Sequence, residues 1–246
     1  MPRLYVIASP IGSDPTQALP ASAATIVRGL RDFVAENPKT ARAFLSALGM
    51  PVGIRELSIS RLDEHSRTED VPALLAPLRE GRDLGLVSDA GCPGVADPGA
   101  ALARLAHDEG FRIVPLIGPS SILLALMASG LEGQRFAFCG YLPRAKSERL
   151  RRIRELEARS RAERETQIFI ETPYRNEALF AALLDACRPG TLISIASALT
   201  MPQEWVATHS VAQWRRLPAD FGGHPAVFLM QAAVSRTAGT HPLSAN

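Results

Sequence analysis

Lysine is nearly missing from this chain of 246 residues. Only Lys39 and Lys146 are present, so almost all the positive charge is arginine. Arginine suits planar recognition of phosphate. An excess of arginine beside alanine also follows from genome composition, and that is the reading preferred here. The formal net charge is only +2, so charge alone does not announce a nucleic-acid binder. Cysteine is scarce as well. Cys92, Cys139 and Cys187 are odd in number, far apart and without a CxxC pair, which leaves no metal framework and fits a reducing cytoplasm. No long apolar run is uninterrupted. Residues 113–131 come nearest, but Pro115, Gly118, Pro119, Ser120 and Ser121 break them into a strand, a turn and a helix, so no membrane partner is expected. The opening run Leu4-Tyr5-Val6-Ile7-Ala8 is too short and wrongly flanked for a signal peptide. There is no GxGxxG after the first strand and no GxxxxGK[ST], which removes the dinucleotide fingerprint and the P-loop.

What is present is a core-forming α/β pattern. Hydrophobic residues make up 46% of the chain, enough for a packed interior. In the first half, strands are expected at 3–8, 32–36, 56–60, 84–88 and 112–116, alternating with helices near 20–30, 40–48, 69–80 and 98–109. That alternation predicts an α/β domain with a largely parallel sheet. The second half opens with a helix over 120–129. Strands follow at 135–141 and 166–171, with a polar helix at 146–164 between them. A helix near 175–187 leads to strands near 191–197, 204–210 and 225–232, whose short connections make part of this sheet antiparallel. The expected division is an N-terminal α/β domain over 1–116, a C-terminal α/β domain over 117–234, and a flexible polar tail over 235–246.

Glycine and proline cluster at the ends of the expected strands. Ser9-Pro10-Ile11-Gly12 ends the first and Asn37-Pro38 the second. Ser88-Asp89-Ala90-Gly91-Cys92-Pro93-Gly94-Val95-Ala96-Asp97-Pro98-Gly99 ends the fourth, and Ile117-Gly118-Pro119-Ser120-Ser121 the fifth. In a parallel sheet these ends share one rim. Glycine there lets a ligand approach the backbone, and proline holds a loop open before the ligand arrives. The rim carries Glu36, Asp89 and Asp97, with Lys39 as its sole lysine. An acidic hollow repels a triphosphate and suits a cation. S-adenosylmethionine, with a sulfonium, an ammonium and a readable adenine, fits that description. Local turn capping is the competing explanation for Asp89 and Asp97.

Five motifs occur in order: LYVIASPIG, SDAGCPGVADPG, IGPSS at 117–121, FCGYLPR at 138–144 and FIETPYR at 169–175. Over roughly residues 3–232 the chain resembles the tetrapyrrole methylase superfamily. Within it, the nearest likeness is to the branch of ribosomal RNA small-subunit methyltransferases acting on a cytidine ribose 2′-oxygen. The resemblance implies two α/β domains, a homodimer, ribosomal RNA or the small ribosomal subunit as partner, and S-adenosylmethionine held in a cleft. It implies cofactor contacts at Pro10, Gly12, Asp89, Ala90, Gly91, Gly94, Ser120 and Ser121. In the second domain it implies contacts at Tyr141, Ala198, Leu199, Pro225 and Ala226. A tetrapyrrole or other small acceptor, and a non-catalytic cofactor- or RNA-binding protein, are the alternatives. The branch's A-E-D-T-R reads Ala35-Glu36-Asn37-Pro38-Lys39 here, with Arg42 nearby to replace the lost arginine. Its H-E-H-N-E reads Leu62-Asp63-Glu64-His65-Ser66, and Ser13 stands where an asparagine follows Gly12. These differences fall where the resemblance implies that the acceptor enters.

Methyl transfer to a ribose hydroxyl needs an in-line arrangement and a group that takes or orients the hydroxyl proton. The candidates are Glu36, at a strand end on the rim, then Glu171, then His65. A salt bridge to Arg175 is the competing explanation for Glu171, and a plain polar loop for His65. The helix over 146–164 is basic at its start. Arg149 and Arg152 are its candidate RNA contacts, against a solvated helix with pairs such as Glu148–Arg152.

Overall fold

The computed structural model describes residues 1–12 and 19–233. Ser13 and the tail expected over 235–246 lie outside the described residues. The chain forms two compact units, the first ending at Ser121 and the second beginning at Ile122.

The first unit runs β1 (Arg3–Ile7), α1 (Ala21–Gly29), β2 (Asp32–Ala35), α2 (Pro38–Ala47), β3 (Ser58–Arg61), α3 (Ala76–Arg79), β4 (Leu84–Val87), α4 (Gly99–Asp108) and β5 (Arg112–Pro115). Its sheet has the order β3-β2-β4-β1-β5, and every pairing is parallel. Every residue of β2 and β4 is buried, as a parallel sheet covered on both faces requires. The period-2 alternation sends Tyr5, Ile7, Phe33 and Val87 to one face, against Val27, Phe44 and Leu45. It sends Leu4, Val34, Leu84 and Leu86 to the other, against Leu75, Leu78 and Leu102. The centre of β4 must be glycine. A Cβ at Gly85 would lie 2.6 Å from Phe33 Cδ1 and 2.9 Å from Ile7 Cδ1.

The helix expected over 69–80 is not a regular helix. Residues Thr68–Leu75 form 3₁₀ turns, and only Ala76–Arg79 are α-helical. Pro72 lacks the N–H that an α-helix would need there.

Helix α5 (Ser121–Ser129) starts on the last residue of the first unit, and the second unit continues with β6 (Phe136–Tyr141), α6 (Lys146–Glu163), β7 (Thr166–Glu171), α7 (Asn176–Ala186), β8 (Leu192–Ser197), β9 (Trp205–Ser210), α8 (Val211–Trp214) and β10 (Ala226–Gln231). Its sheet has the order β6-β7-β10-β8-β9. The β6–β7 pair is parallel and the other pairs are antiparallel, so the expected mixed sheet is present. Phe169, Ile193, Ile195 and Phe228 meet Ile153, Leu156, Leu179 and Leu183 of α6 and α7 in its core. The short α8 was not expected. Ser210 and Gln213 start it with a reciprocal capping box.

Along α6 the buried stripe is Arg149, Ile153, Leu156, Glu157 and Ser160. The spacing is that of one helix face. The Glu148–Arg152 pair does not form. Arg152 instead pairs with Glu155 at 3.2 Å, and Arg151 reaches the same carboxylate at 3.8 Å. Among the described residues, no helix is long and apolar enough to cross a membrane.

Candidate active site

In the first sheet, β1 and β4 are neighbours whose outgoing connections leave in opposite directions. Following β1, the chain crosses to β2, beyond β4. From β4 it crosses to β5, beyond β1. Ligands of parallel sheets bind outside the carboxyl ends of the strands at such a switch point. The loops there are tied to one another. Ser9 N donates to Gly91 O at 2.8 Å, and Gly91 N returns a bond to Ser9 O at 3.1 Å. Ser9 Oγ donates to Ser88 O at 2.6 Å, and Ser88 Oγ to Gly91 O at 2.9 Å. Gly91 has φ +71°, so the turn that makes these bonds favours glycine.

The loop after β5 joins the same group. Cys92 Sγ lies 3.4 Å from Pro119 O. Gly118 sits so close to β1 that a Cβ there would be 2.5 Å from Ala8 Cβ. The loop after β2 completes it. The Asp89 backbone N–H faces the Glu36 carboxylate, and the Asn37 backbone N–H faces the Asp89 carboxylate. All four glycine- and proline-bearing strand ends therefore converge.

A cavity of about 280 Å³ opens between the loops after β1 and β4 and helix α2. Pro10, Gly12, Ser88 and Asp89 line one side, and Thr40, Ala41 and Phe44 of α2 the other. The α2 residues were not foreseen. Helical periodicity marks Ala41 and Phe44 only as core, and nothing in the sequence tells which end of α2 faces a hollow. The volume is at the low end for small-molecule sites (roughly 300–1,000 Å³), so this hollow takes part of a ligand.

Its electrostatics are one-sided. Burial raises the Glu36 carboxyl above its ordinary pKa, and the nearby charges of Asp89, Asp97 and Glu64 add to the rise. Asp89 is raised by burial and by Asp97. Asp97 is raised by burial, although backbone N–H groups of Gly94 and Gly99 offset part of it. Among the described residues, no arginine or lysine is paired with any of the three. Asp97 is nevertheless committed to its own turn, since one oxygen accepts from Gly94 N at 2.5 Å and Gly99 N at 2.8 Å. The capping explanation therefore describes Asp97, while Asp89 lines the hollow and Glu36 lies beside it, accepting from the Asp89 backbone N–H.

The altered second-strand motif has a local rationale. Asn37 caps α2, its side chain accepting from Lys39 N at 3.0 Å, and Pro38 takes the first helical turn. Asparagine caps a helix as well as aspartate does. Lys39 and Arg42 are exposed on the outer side of α2, where Arg42 reaches Pro38 O at 3.4 Å. His65 is exposed, 3.6 Å from Glu64.

In the second sheet, the carboxyl ends of β6, β7 and β8 and the start of β10 lie at one end. This end carries Tyr141, Glu171, Ala198, Leu199, Pro225 and Ala226. Ala226 is flanked in register by Glu171 and Ser197, and Ala198 N donates to Pro225 O at 3.3 Å. Ala198 (φ +52°) and Thr200 (φ +66°) hold left-handed backbone without being glycine, a strained pair in one turn. Glu171 is fully buried. One oxygen accepts from Thr172 N at 2.8 Å, and the other lies 2.9 Å from Arg175 Nη2. Arg149 is not the surface cation that the basic start of α6 suggested. It is buried on the inner stripe and donates to Arg144 O at 2.9 Å and Pro143 O at 3.3 Å. Arg152 is on the surface, paired with Glu155.

A protein of Mesorhizobium japonicum named ribosomal RNA small subunit methyltransferase I is 38% identical to this chain over 211 residues, covering 84% of the chain and 67% of that protein. The chain belongs to the ribosomal RNA small subunit methyltransferase I family. Its family counterparts include one from Escherichia coli O157:H7, 34% identical over 175 residues, and one from Neisseria meningitidis serogroup B, 33% identical over 182 residues. The chain spans 57% and 59% of the length of those two relatives. No family model matches it. Its fold is that of the tetrapyrrole methylases. The crystal structure of the methyltransferase CobJ covers 97% of the chain, and 98% of itself, with a TM-score of 0.61 at 21% identity. The cobalt precorrin-4 methyltransferase CbiF gives 0.58 at 16% identity, covering 93% of this chain and 94% of that one.

Proposed function

We propose that this chain transfers the methyl group of S-adenosylmethionine to the ribose 2′-oxygen of a nucleotide in small-subunit ribosomal RNA, working in the cytoplasm as a homodimer. The observation that carries the reading is an acid pair without a counter-charge: Asp89 lines a hollow between the loops after β1 and β4 and helix α2, and Glu36 stands beside Asp89. Such a hollow is the right receptor for a cationic donor. S-adenosylmethionine, when bound, supplies a methyl group made electrophilic by its sulfonium. Asp89, with the backbone of Ala90, Gly91 and Gly94, would hold the donor's positive end. Pro10, Gly12, Ser120 and Ser121 would shape the wall beside it. The family resemblance adds Tyr141, Ala198, Leu199, Pro225 and Ala226 of the second unit as cofactor contacts.

Glu36 is the proposed proton acceptor for the ribose hydroxyl. Its raised pKa brings it nearer the working pH, which suits a base that must take a proton and give it up. Glu171 is less suited, because its carboxylate is already committed to Arg175 and Thr172. Lys39, Arg42, His65 and Arg152 are the exposed groups left for contact with RNA. The test is incubation with labelled S-adenosylmethionine and small subunits that lack 2′-O-methylation. Label in the ribosomal RNA, mapped to a ribose, is expected. Transfer to a tetrapyrrole extract in place of the RNA would overturn the reading.

A further inference from the structure

The chain has two tryptophans, and both line one cavity. This second cavity, of about 300 Å³, lies wholly within the second unit. Its wall is Trp205, Ala207 and His209 of β9, then Trp214, and then Leu217 to Asp220 in the segment that follows α8. Among the described residues β9 is an edge strand, paired only with β8. None of these residues lines the acid hollow; Trp205 pairs with Ser197, next to Ala198, and the rest of the wall lies farther along β9 and in the segment after α8.

The two indoles play different parts. Trp214 is buried, donates its Nε1–H to Ile193 O at 2.8 Å, and meets the His209 ring edge-on at 4.7 Å. It is a fixed part of the core. Trp205 is half-buried, packs against the rim of the second unit's core and meets the tilted Phe221 ring at 6.2 Å. Its indole nitrogen donates to no acceptor among the described residues, so Trp205 is the adaptable wall. Asp220 stands at the rim. One of its oxygens accepts from Gly222 N at 2.8 Å, and the other has no partner among the described residues. Arg216 is exposed next to the rim residue Leu217 and is in no ion pair or side-chain hydrogen bond among the described residues.

We propose that this cavity is a second nucleic-acid site that takes one unpaired base of the RNA substrate other than the nucleotide being methylated. The proposal rests on the RNA reading above. Single-stranded RNA is recognised by stacking splayed bases on aromatic side chains and by hydrogen bonds to their edges. Trp205 supplies the face, the free oxygen of Asp220 accepts from an exocyclic amine, and Arg216 meets the flanking phosphate. The carboxylate makes the site prefer cytosine, which carries such an amine, to uracil, which does not.

The full chain is titrated with hexacytidylate and hexauridylate while tryptophan fluorescence is followed. The expected results are quenching, tighter binding of the cytidylate, and a five- to hundredfold loss of affinity in Trp205→Ala. Asp220→Asn is expected to erase the preference for cytidylate, and Arg216→Glu to weaken both. These two surface variants keep the test decisive if Trp205→Ala disturbs β9. Methylation of small subunits is measured beside it, where Trp205→Ala should raise KM and spare kcat. Unchanged affinity and KM in all three variants, with wild-type methylation intact, would overturn the site and leave the RNA reading standing. Cytidylate binding that depends on Trp205 and Asp220, without any methylation of subunits, would support the site and sink that reading. Failure of the wild-type chain to bind either oligonucleotide would overturn the site.

Discussion

Each of the two sheets ends a central strand on a glutamate, and the two glutamates live in opposite surroundings. Glu36 follows β2; it accepts from the Asp89 backbone N–H, and the charges around it are those of other acids, Asp89, Asp97 and Glu64. Glu171 ends β7 and meets Arg175 at 2.9 Å, with Thr172 on its other oxygen. Burying a carboxylate is costly unless a partner offsets it. In the second unit the chain provides the partner from its own next turn. In the first it provides a backbone N–H but no counter-charge, and the neighbouring acids worsen the cost. An acid left without a counter-charge is one that a ligand or a transferred proton can compensate, which supports the role proposed for Glu36 and a structural part for Glu171.

The sharpest way to break this comparison is to remove each charge in turn. Glu36→Gln should lower kcat by about 10²- to 10⁴-fold, the range for losing a proton acceptor, while the protein stays folded. Glu171→Gln should act on stability, leaving the partly buried Arg175 guanidinium without its counter-charge. Breaking a buried pair costs about 3–5 kcal/mol, and the partial exposure of Arg175 places this one near 3 kcal/mol, read from urea unfolding. A folded Glu171→Gln enzyme that has lost all turnover, beside a Glu36→Gln enzyme that keeps it, would reverse the assignment.

A smaller effect tests whether the first site depends on its loops being tied together. A Cβ at Gly118 would press on Ala8 Cβ at 2.5 Å, a backbone neighbour with little room to yield. Gly118→Ala should therefore cost about 1–3 kcal/mol of stability through overpacking. It should also weaken cofactor binding in calorimetry, because the loop carrying Ser120 is pushed off β1. Gly133→Ala serves as the control, since nothing lies within 4 Å of a Cβ there.

The first unit was the more legible of the two. Glycine and proline at strand ends are readable one loop at a time, and an all-parallel sheet sends those ends to one rim whatever the details. In the second unit, the short connections between the later strands made only the antiparallel part of its sheet legible. What stayed hidden depended on which side of a helix faces inward. Arg149 reads as the front of a basic surface, yet it lies one turn before Ile153 on the buried stripe, where main-chain carbonyls take up its donors. Thr40 and Phe44 read as an ordinary helix, and only the placement of α2 beside the β1 and β4 loops makes them a cavity wall. Thr68–Leu75 carries an apolar period that pointed to an α-helix, and Pro72 overrode it.

The gentlest prediction concerns pH, and its sign follows from the direction of the shifts. Glu36, Asp89 and Asp97 are raised when folded, chiefly by burial and then by one another. The folded protein thus holds these protons more tightly than the unfolded chain does. Their favourable contribution is complete below the ordinary carboxylate pKa of about 4, and it is lost as pH rises through the raised values. Asp89→Asn removes one of the repelling charges. It should leave the thermal midpoint unchanged at acid pH and raise it slightly at neutral pH, where wild type carries the full repulsion. The same substitution should weaken S-adenosylmethionine severalfold at neutral pH. Wild-type affinity should itself climb as pH rises through the titration of the acid group. Stability and cofactor affinity would then move in opposite directions with pH in one protein. An Asp89→Asn variant that is less stable at neutral pH, or a wild-type affinity that falls as the acids ionise, would mean that the hollow does not hold a cation.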